Sequence, residues 1–167
     1  KPAVKSIIKN MTDELIHRGP DGEGLWCQNA VAIGHRRLAI IDLSTNASQP
    51  MISKDNRYVL SYNGEIYNFL DIKKQLENKG YNFKSNSDTE VVLNSLIHWG
   101  AESLKKFNGM FSLCFYDIKK NTLLLARDRY GIKPLYFSKQ KNVFSFSSEQ
   151  KAIIKHPSFN KELNKEA

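Results

Sequence analysis

Apolar residues recur at helical spacing in three stretches of the chain. In the first, residues 4–15, apolar side chains three and four positions apart fall on one helix face, and Gly19-Pro20 follows as a stop signal. Two more helices are predicted, one at 68–78 with Asn68 as its N-cap and one from Asp88 to about residue 100. Each of these two ends at or shortly before a glycine, the residue type that most often terminates a helix.

Short apolar or alternating runs predict strands between and after the helices. They cover residues 25–27, 31–33, 38–41, 58–62, 110–116, 123–127, 135–138 and 143–147. Residues 44–55 are rich in Ser and Asn and are predicted to form a loop. Because the helices are grouped rather than alternating strictly with the strands, the pattern predicts an α+β fold of antiparallel sheets covered by helices.

The composition is that of one ordinary globular domain. Of the 167 residues, 41% are hydrophobic and 25% charged, which excludes a disordered or fibrous chain. No apolar run approaches the roughly 20 residues of a membrane-spanning helix, and the first ten residues lack the apolar core of a secretory signal. The two cysteines, Cys27 and Cys114, are too few for a disulfide scaffold. A cytoplasmic protein is therefore expected.

The formal net charge of +8 raises the question of nucleic-acid binding. The lysines that carry this charge are scattered along the chain, as Lys5, Lys54 and Lys119 illustrate, and no basic stripe with interleaved aromatic residues is visible. We therefore expect solvated lysine faces, with neither nucleic acid nor a membrane as a partner.

Two arginine-containing segments carry residue types that a plain core does not require. Residues 17–22, His-Arg-Gly-Pro-Asp-Gly, form either a simple helix stop or a bent backbone close to a charged ligand. Arg36 and Arg37 precede an apolar run, and neighbouring strand residues point to opposite faces. One of these two arginines could therefore enter a cleft and bind a carboxylate with its planar guanidinium. The alternative is a pair of surface arginines at a strand edge.

Two further segments combine amide, glycine and acidic residues. Asn63-Gly64 is first of all a hairpin signal, but the Asn side-chain N–H and the Gly backbone N–H could also converge on one oxygen as an oxyanion hole. Asp88 is either a helix cap or an anionic partner for a substrate ammonium group. Cys27 and Cys114 have no adjacent base, and the histidines show no metal-ligand spacing with them. Neither cysteine is predicted to be a nucleophile, and no metal site is predicted.

Taken in order, the motifs of the chain resemble those of a known family. They read HRGPDGEG, GHRRLAIIDLS, QPM, NGEIYN, SNSDTEVVL, HWG, GMFSLCFYD, LARDRYGIKPLYF and FSSEQKAI. The series runs from His17 to about Ile154 and resembles the glutamine-hydrolysing half of asparagine synthetases, which are class II glutamine amidotransferases of the N-terminal nucleophile hydrolase superfamily. The resemblance implies a four-layer αββα sandwich and the hydrolysis of glutamine to glutamate and ammonia.

The resemblance also implies roles for individual residues. Arg37 matches the arginine that binds the substrate α-carboxylate, and Asp88 matches the acid that binds the α-ammonium group. Asn63 and Gly64 match the two oxyanion donors. Three further positions belong to the glutamine pocket in the family and correspond here to Leu38, Ile40 and Glu65. The residue types agree with these roles, because the two charges of an amino acid are costly to enclose without partners.

The nucleophile of that family is an N-terminal cysteine whose own α-amine serves as the base. The given sequence begins at Lys1 without the family's Met-Cys-Gly-Ile strand, and neither Cys27 nor Cys114 aligns with the nucleophile. We therefore expect residues 1–155 to be a glutaminase domain truncated at its N-terminus, lacking its first strand and inactive as given. Residues 156–167 resemble the start of a linker toward a synthetase domain.

The resemblance implies glutamine as the small-molecule substrate and a synthetase domain of the same polypeptide as the partner. That second domain would use ATP and Mg²⁺ to amidate aspartate, whereas no cofactor is expected in residues 1–155. A homodimer is left open. One alternative is the glutaminase domain of a related amidotransferase that acts on another carboxylate or a surface sugar, and another is a non-catalytic binding module.

Overall fold

The fold is taken from a computed structural model that describes residues 2–40, 42–140 and 142–160. Within these residues the chain forms four α-helices, eight β-strands and three short 3-10 turns. The helices are α1 (Lys5–Asp13), α2 (Phe69–Glu77), α3 (Asp88–Trp99) and α4 (Gln150–Ile154). The strands are β1 (Gly22–Gln28), β2 (Val31–Arg37), β3 (Met51–Ile52), β4 (Tyr58–Ile66), β5 (Gly109–Asp117), β6 (Thr122–Arg127), β7 (Tyr136–Gln140) and β8 (Val143–Ser147). The 3-10 turns cover Ile16–Arg18, Thr45–Ala47 and Gly100–Lys105.

The three predicted helices are confirmed, and Asn68 occupies the predicted N-cap position of α2, although its side chain does not cap the helix. Gly80 and Gly100 follow α2 and α3 with φ angles of 87° and 60°, in the left-handed region that favours glycine. The Asn68 side chain makes no cap hydrogen bond. Its amide nitrogen instead donates to the Lys106 carbonyl, and its amide oxygen accepts from the Asn108 N–H, each at 3.0 Å. Asn68 therefore ties the start of α2 to the segment before β5.

The N-terminal cap of α3 is Ser87, the residue before Asp88. The Ser87 hydroxyl accepts a hydrogen bond from the backbone N–H of Thr89 at 3.1 Å. Asp88 is the first helical residue, so the capping alternative for this residue is wrong. Its carboxylate is free to bond with another part of the fold.

Three strand predictions need correction. The predicted strand at 38–41 is wrong, because β2 ends at Arg37 and the Ala39 N–H donates to the Asp21 carboxylate at 2.9 Å; residue 41 lies outside the described residues. The predicted loop 44–55 contains the short strand β3, which pairs with β4. Asn63-Gly64 lies inside β4 rather than in a hairpin turn, because β4 pairs with β5 from Tyr58 to Ile66.

A four-stranded antiparallel sheet, ordered β3-β4-β5-β6, is covered on one face by helices. α3 packs on β3 and β4, and α2 packs on α3. This helix-covered face contains the larger hydrophobic cluster. Its buried members are Met51, Leu60, Tyr62, Ile66, Ile72, Leu76, Val91, Val92, Leu93, Leu96, Phe107, Phe111, Leu113 and Phe115.

The opposite face of the sheet meets two separate hairpins, β1-β2 and β7-β8. A smaller buried cluster of Ile33, Val59, Cys114 and Tyr116 joins this face to the hairpin layer. α1 packs on the outside of β1 and β2, and α4 packs on β7 and β8. The layers therefore follow the order helix, sheet, sheet, helix, which confirms the expected αββα sandwich. No helix among the described residues is both long and apolar enough to cross a lipid bilayer.

Candidate active site

A cavity of about 1000 Å³ lies between the two sheet layers. It is bordered by the end of β2, the segment after it, the middle of β4 and the start of α3. All of the site residues predicted from the sequence line this cavity, namely Arg37, Leu38, Ile40, Asn63, Gly64, Glu65 and Asp88. Residues that are far apart in the chain thus meet in one space.

β2 directs its two arginines to opposite sides, as expected for neighbouring residues of a strand. The Arg36 guanidinium faces α1 and forms ion pairs with Asp13 and, at 2.5 Å, with Glu23. Arg37 lies on the cavity side, where Nη1 donates to the Ser44 carbonyl at 2.9 Å and Nη2 donates to the Asp42 carbonyl. Both arginines border the cavity, but the Arg36 guanidinium is paired with two carboxylates, whereas that of Arg37 donates to backbone carbonyls. Arg37 is therefore the better candidate for binding the carboxylate of a ligand.

One edge of β4 presents a row of backbone N–H groups toward the segment that precedes β3. N–H groups of alternate strand residues point to the same edge, so Tyr62, Gly64 and Ile66 share this one. The Tyr62 N–H donates to Gln49 Oε1 at 2.6 Å, and the Ile66 N–H donates to Asp88 Oδ2 at 3.0 Å. The Gly64 N–H lies between these two donors. Within the described residues β3 pairs only with Val59 and Leu60, so this pairing does not extend to Gly64.

Gly64 also has a packing reason to be glycine. A Cβ atom at this position would lie 2.4 Å from the Met110 carbonyl oxygen and 2.8 Å from the Phe111 Cα, both on β5. β4 and β5 therefore approach too closely for a side chain. The neighbouring Asn63 lies on the cavity side of β4, on the same face as Ser61, because strand side chains alternate. An amide side chain and a backbone N–H thus lie side by side at the cavity wall.

Asp88 is 4% exposed and lines the cavity from the start of α3. Its Oδ2 atom accepts hydrogen bonds from the Tyr62 hydroxyl at 2.7 Å and from the Ile66 N–H at 3.0 Å. Burial raises the pKa of this carboxyl group above its usual value, and the charge of Glu65 adds to that effect. These two hydrogen bonds and one from the Thr89 backbone oppose the rise. A cation in the cavity would further favour the charged carboxylate.

The segment after β2 connects the arginine to the start of α3. Asp42 Oδ1 accepts from the Ser44 N–H at 2.8 Å, and Oδ2 accepts from the Asn86 N–H at 2.9 Å. The carbonyl of Asp42 accepts from Arg37, as described above. Asp42 therefore links Arg37 to the residues that lead into Asp88. Sequence reasoning missed it, although an Asp two residues before a Ser is typical of a side-chain-stabilised turn.

A sequence model for the glutamine amidotransferase domain matches residues 1–167 of this chain. The chain belongs to the glutamine amidotransferase domain family.

This amidotransferase domain is similar to parts of longer enzymes. It is 43% identical over 155 residues to glutamine-hydrolyzing asparagine synthetase 3 of Bacillus subtilis, which covers 92% of this chain and 25% of that protein. It is 39% identical over 153 residues to the glutamine-hydrolyzing asparagine synthetase of Zea mays, covering 90% of this chain and 25% of that protein. The chain thus spans about a quarter of the length of these curated relatives.

The fold is shared with a solved amidotransferase. Glutamine phosphoribosylpyrophosphate amidotransferase from Bacillus subtilis superimposes with a TM-score of 0.78 at 23% identity, over 92% of this chain and 41% of that chain. At this identity the similarity shows the fold alone. It agrees with the layered α+β fold described above.

Two polar residues of the amidotransferase domain's cavity were missed by sequence reasoning. His35 lies on the same face of β2 as Arg37, and its Nδ1 is 3.1 Å from the Ser61 hydroxyl. Burial, together with the charge of Arg37, lowers the pKa of His35 to about 4, so the imidazole is neutral near pH 7. Gln49 binds the Tyr62 backbone through both ends of its side-chain amide. The spacing of His35 from Arg37 was the available signal for the first, and the Gln-Pro-Met motif for the second.

The His17–Gly22 segment has a structural role in this fold. His17 Nε2 and Arg18 Nη1 lie 2.9 and 3.1 Å from Glu149 Oε1, next to the start of α4. The hydrogen bond from His17, followed by that from Arg18, lowers the pKa of Glu149 to about 2 in spite of partial burial. A Cβ on Gly19 would lie 2.4 Å from the Arg36 carbonyl. The segment thus connects the end of β2 to α4, and its residues His17 and Arg18 also border the cavity.

The two cysteines occupy different environments. Cys27 is exposed on β1, whereas Cys114 is buried on β5. Burial raises the pKa of the Cys114 thiol, which disfavours the reactive thiolate. Among the described residues, no hydrogen bond joins either thiol to a basic side chain. These environments are not those of an activated nucleophile.

Proposed function

We propose that this domain hydrolyses the side-chain amide of glutamine and supplies the ammonia for ATP-dependent amidation of aspartate in an asparagine synthetase. The observation that carries the proposal is the juxtaposition, in one cavity, of Arg37, Asp88 and the Asn63-Gly64 pair. A zwitterionic amino acid requires a cation and an anion in its pocket. The similarity to asparagine synthetases supports aspartate as the acceptor.

In this proposal, Arg37 binds the α-carboxylate and Asp88 binds the α-ammonium group. Two of the five guanidinium donors of Arg37 are engaged with loop carbonyls, so others remain for a carboxylate. The Asp88 carboxylate is negatively charged when it meets the ammonium group, because the ligand's charge offsets the effect of burial. The backbone around Leu38 and Ile40, together with Glu65, forms the rest of the pocket. These contacts orient the side-chain amide of glutamine toward β4.

The chemical step in this proposal follows the family's thiol mechanism. A cysteine thiolate attacks the amide carbon, and the resulting oxyanion accepts hydrogen bonds from the Asn63 side chain and the Gly64 N–H. The cysteine's own α-amine takes up the thiol proton and returns it to the leaving nitrogen, so collapse of this intermediate expels ammonia. Water then hydrolyses the γ-glutamyl thioester to glutamate and the free thiol. Neither Cys27 nor Cys114 has the required environment, so a polypeptide of residues 1–167 by itself is expected to be inactive. ATP and Mg²⁺ take part only in the amidation of the acceptor, outside residues 1–155.

The proposal is tested on the protein as the cell makes it, with two nitrogen donors. With glutamine, Arg37→Lys and Asp88→Asn should each lower kcat/KM for glutamate release by roughly 100-fold, because each leaves one substrate charge poorly paired. With ammonium chloride as the donor, both variants should amidate aspartate at the wild-type rate. Arg36→Lys, on the opposite face of β2, is the matched control and should leave both reactions unchanged.

Three results would contradict the proposal. Wild-type glutamine use by both site variants would remove Arg37 and Asp88 from the pocket. A failure to amidate aspartate with either donor would point to a different acceptor. Turnover of glutamine by the isolated polypeptide 1–167 would overturn the exclusion of Cys27 and Cys114.

A further inference from the structure

The carboxylate of Asp88 is held on one side by β4. The Tyr62 hydroxyl and the Ile66 N–H both donate to the same oxygen, Oδ2, at 2.7 and 3.0 Å. Two donors on one oxygen restrict rotation of the carboxylate, because rotation would break both hydrogen bonds. The Thr89 N–H also interacts with this carboxylate. Oδ1 is the oxygen that receives no hydrogen bond from β4 and can meet a ligand in the cavity that Asp88 lines.

Tyr62 is suited to hold an anion without neutralising it. Its ring belongs to the helix-side core and it is 3% exposed. Burial, followed by the nearby charge of Asp88, raises the pKa of its hydroxyl, so the group stays protonated and remains a donor. A lysine or arginine in this place would cancel the charge of Asp88, whereas a phenol leaves the full negative charge to attract a cation.

Gln49 fixes the backbone of Tyr62 in the manner of a neighbouring strand. Its Nε2 donates to the Tyr62 carbonyl at 2.9 Å, and its Oε1 accepts from the Tyr62 N–H at 2.6 Å. The pairing of β3 with β4 places Met51 opposite Leu60, so continuing this antiparallel register places Gln49 opposite Tyr62. The side-chain amide thus takes over the pairing where β3 has ended, and it holds β4 at the residue that contacts Asp88.

We propose that Tyr62 and Gln49 are positioning residues that make the pocket selective for ligands with a free α-ammonium group. Tyr62 acts directly on the Asp88 carboxylate, and Gln49 acts by holding the backbone of Tyr62. The inference rests on the proposed function, in which Asp88 binds the α-ammonium group. It adds the residues that orient Asp88 and the ligand feature that depends on them.

The test compares two ligands that differ in the α-amino group. Glutamate is the product of the proposed reaction and is not consumed, and glutarate has the same carbon chain without the amine. Their dissociation constants are measured by calorimetry on the full protein as the cell makes it. The wild type should bind glutamate more tightly than glutarate, and Asp88→Asn should abolish that preference.

Tyr62→Phe removes only the hydroxyl and keeps the ring in the core. It should weaken glutamate binding by about tenfold or more, which corresponds to the loss of a hydrogen bond to a charged group. It should change glutarate binding by less than about twofold, since glutarate makes no use of Asp88. Tyr116→Phe is the matched control, because Tyr116 is similarly buried and its hydroxyl donates to Asn121 Oδ1, away from Asp88. It should affect neither ligand.

Gln49→Met provides a second variant that leaves Tyr62 intact. It should weaken glutamate binding by roughly threefold and leave glutarate binding unchanged, because the two lost neutral hydrogen bonds act on Asp88 only through Tyr62. Should Tyr62→Phe fail to fold, as judged by its thermal transition against that of Tyr116→Phe, the Gln49→Met result decides the question.

The possible failures can be told apart. Equal weakening of glutamate and glutarate by Tyr62→Phe, or no weakening of either ligand, would overturn the positioning role and leave the proposed function standing. A wild type that does not prefer glutamate to glutarate, or an Asp88→Asn variant that retains the preference, would overturn the assignment of Asp88 and with it the proposed pocket.

Discussion

The two faces of the four-stranded sheet differ in how completely they are packed. On the face covered by α2 and α3, strand residues such as Leu60 and Ile66 belong to a continuous buried cluster. On the opposite face the cluster has four buried members among the residues that the structure describes, and a cavity of about 1000 Å³ lies next to them. Polar side chains such as His35 and Asn63 line that cavity. The first face thus provides stability, and the second provides room for a ligand.

This difference runs through a single strand. Leu60, Tyr62 and Ile66 of β4 face the helices, whereas Val59, Ser61 and Asn63 alternate toward the hairpin layer. One strand therefore supplies both core residues and site residues. The packed helix-side face supports the cavity-lining residues on the other face.

The largest effect is expected from a cavity made on the helix-covered face. Leu60→Ala should lower the free energy of unfolding by about 3 kcal/mol, because Leu60 is fully buried and its neighbours can collapse only partly into the space. Urea denaturation followed by circular dichroism measures this loss. Leu123→Ala on the edge strand β6, where the side chain is 38% exposed, is the control and should cost less than about 1 kcal/mol. Similar losses in the two variants would contradict the view that stability resides on the helix side.

A smaller effect is expected where β4 and β5 approach most closely. Gly64→Ala should lower the free energy of unfolding by about 2 kcal/mol, because the new methyl group would meet the Met110 carbonyl oxygen at 2.4 Å and force the strands apart. The control is Gly22→Ala in the hairpin layer, whose nearest neighbour would be the Arg37 Cβ at 3.7 Å. Thermal denaturation should leave Gly22→Ala near the wild type. If Gly64→Ala were as stable as Gly22→Ala, β4 and β5 would be able to move apart at Gly64 without a loss of free energy of unfolding.

The last prediction concerns the two thiols, for which we expect the smallest effect on stability but a large difference in the rate of chemical modification. At pH 8 a disulfide reagent should modify exposed Cys27 at least about 100 times faster than Cys114, whose buried thiol has a raised pKa and few thiolate ions. Cys27→Ser should abolish the fast phase, and Cys114→Ser should leave it unchanged. Rapid labelling of Cys114 in the folded protein would indicate that the cavity side opens far more readily than the packed face.

Local pattern predicted most elements but failed where distant pairing overrides a local signal. Asn63-Gly64 has the sequence of a hairpin turn, yet it lies inside β4 because β5 pairs along the whole strand. The apolar run at 38–41 has the composition of a strand, but β2 ends at Arg37, and Leu38 and Ile40 are exposed. Asn68 precedes a helix as a cap residue would, but it bonds to the segment before β5.

The site shows the same division between local and distant information. The residue types by themselves left alternatives open for Arg37, Asn63-Gly64 and Asp88, and it was the resemblance to the family that assigned these residues to one site. Gln49, Tyr62 and Asp42 were missed as site residues because their roles depend on hydrogen bonds to residues far away in the sequence. No spacing along the chain records such bonds.

The sequence by itself determined helices α1, α2 and α3, most strands and the domain family, but not α4. These follow from periodicity and from motifs, which are properties of neighbouring residues. Only the tertiary structure decided that Arg36 pairs with Asp13 and Glu23 and that Ser87 rather than Asp88 caps α3. It also placed the Gly64 N–H between the N–H groups of Tyr62 and Ile66, which both have acceptors. The physical reason is that sheet register and layer packing choose the partners of each polar group, and they bring together residues that are far apart in the chain.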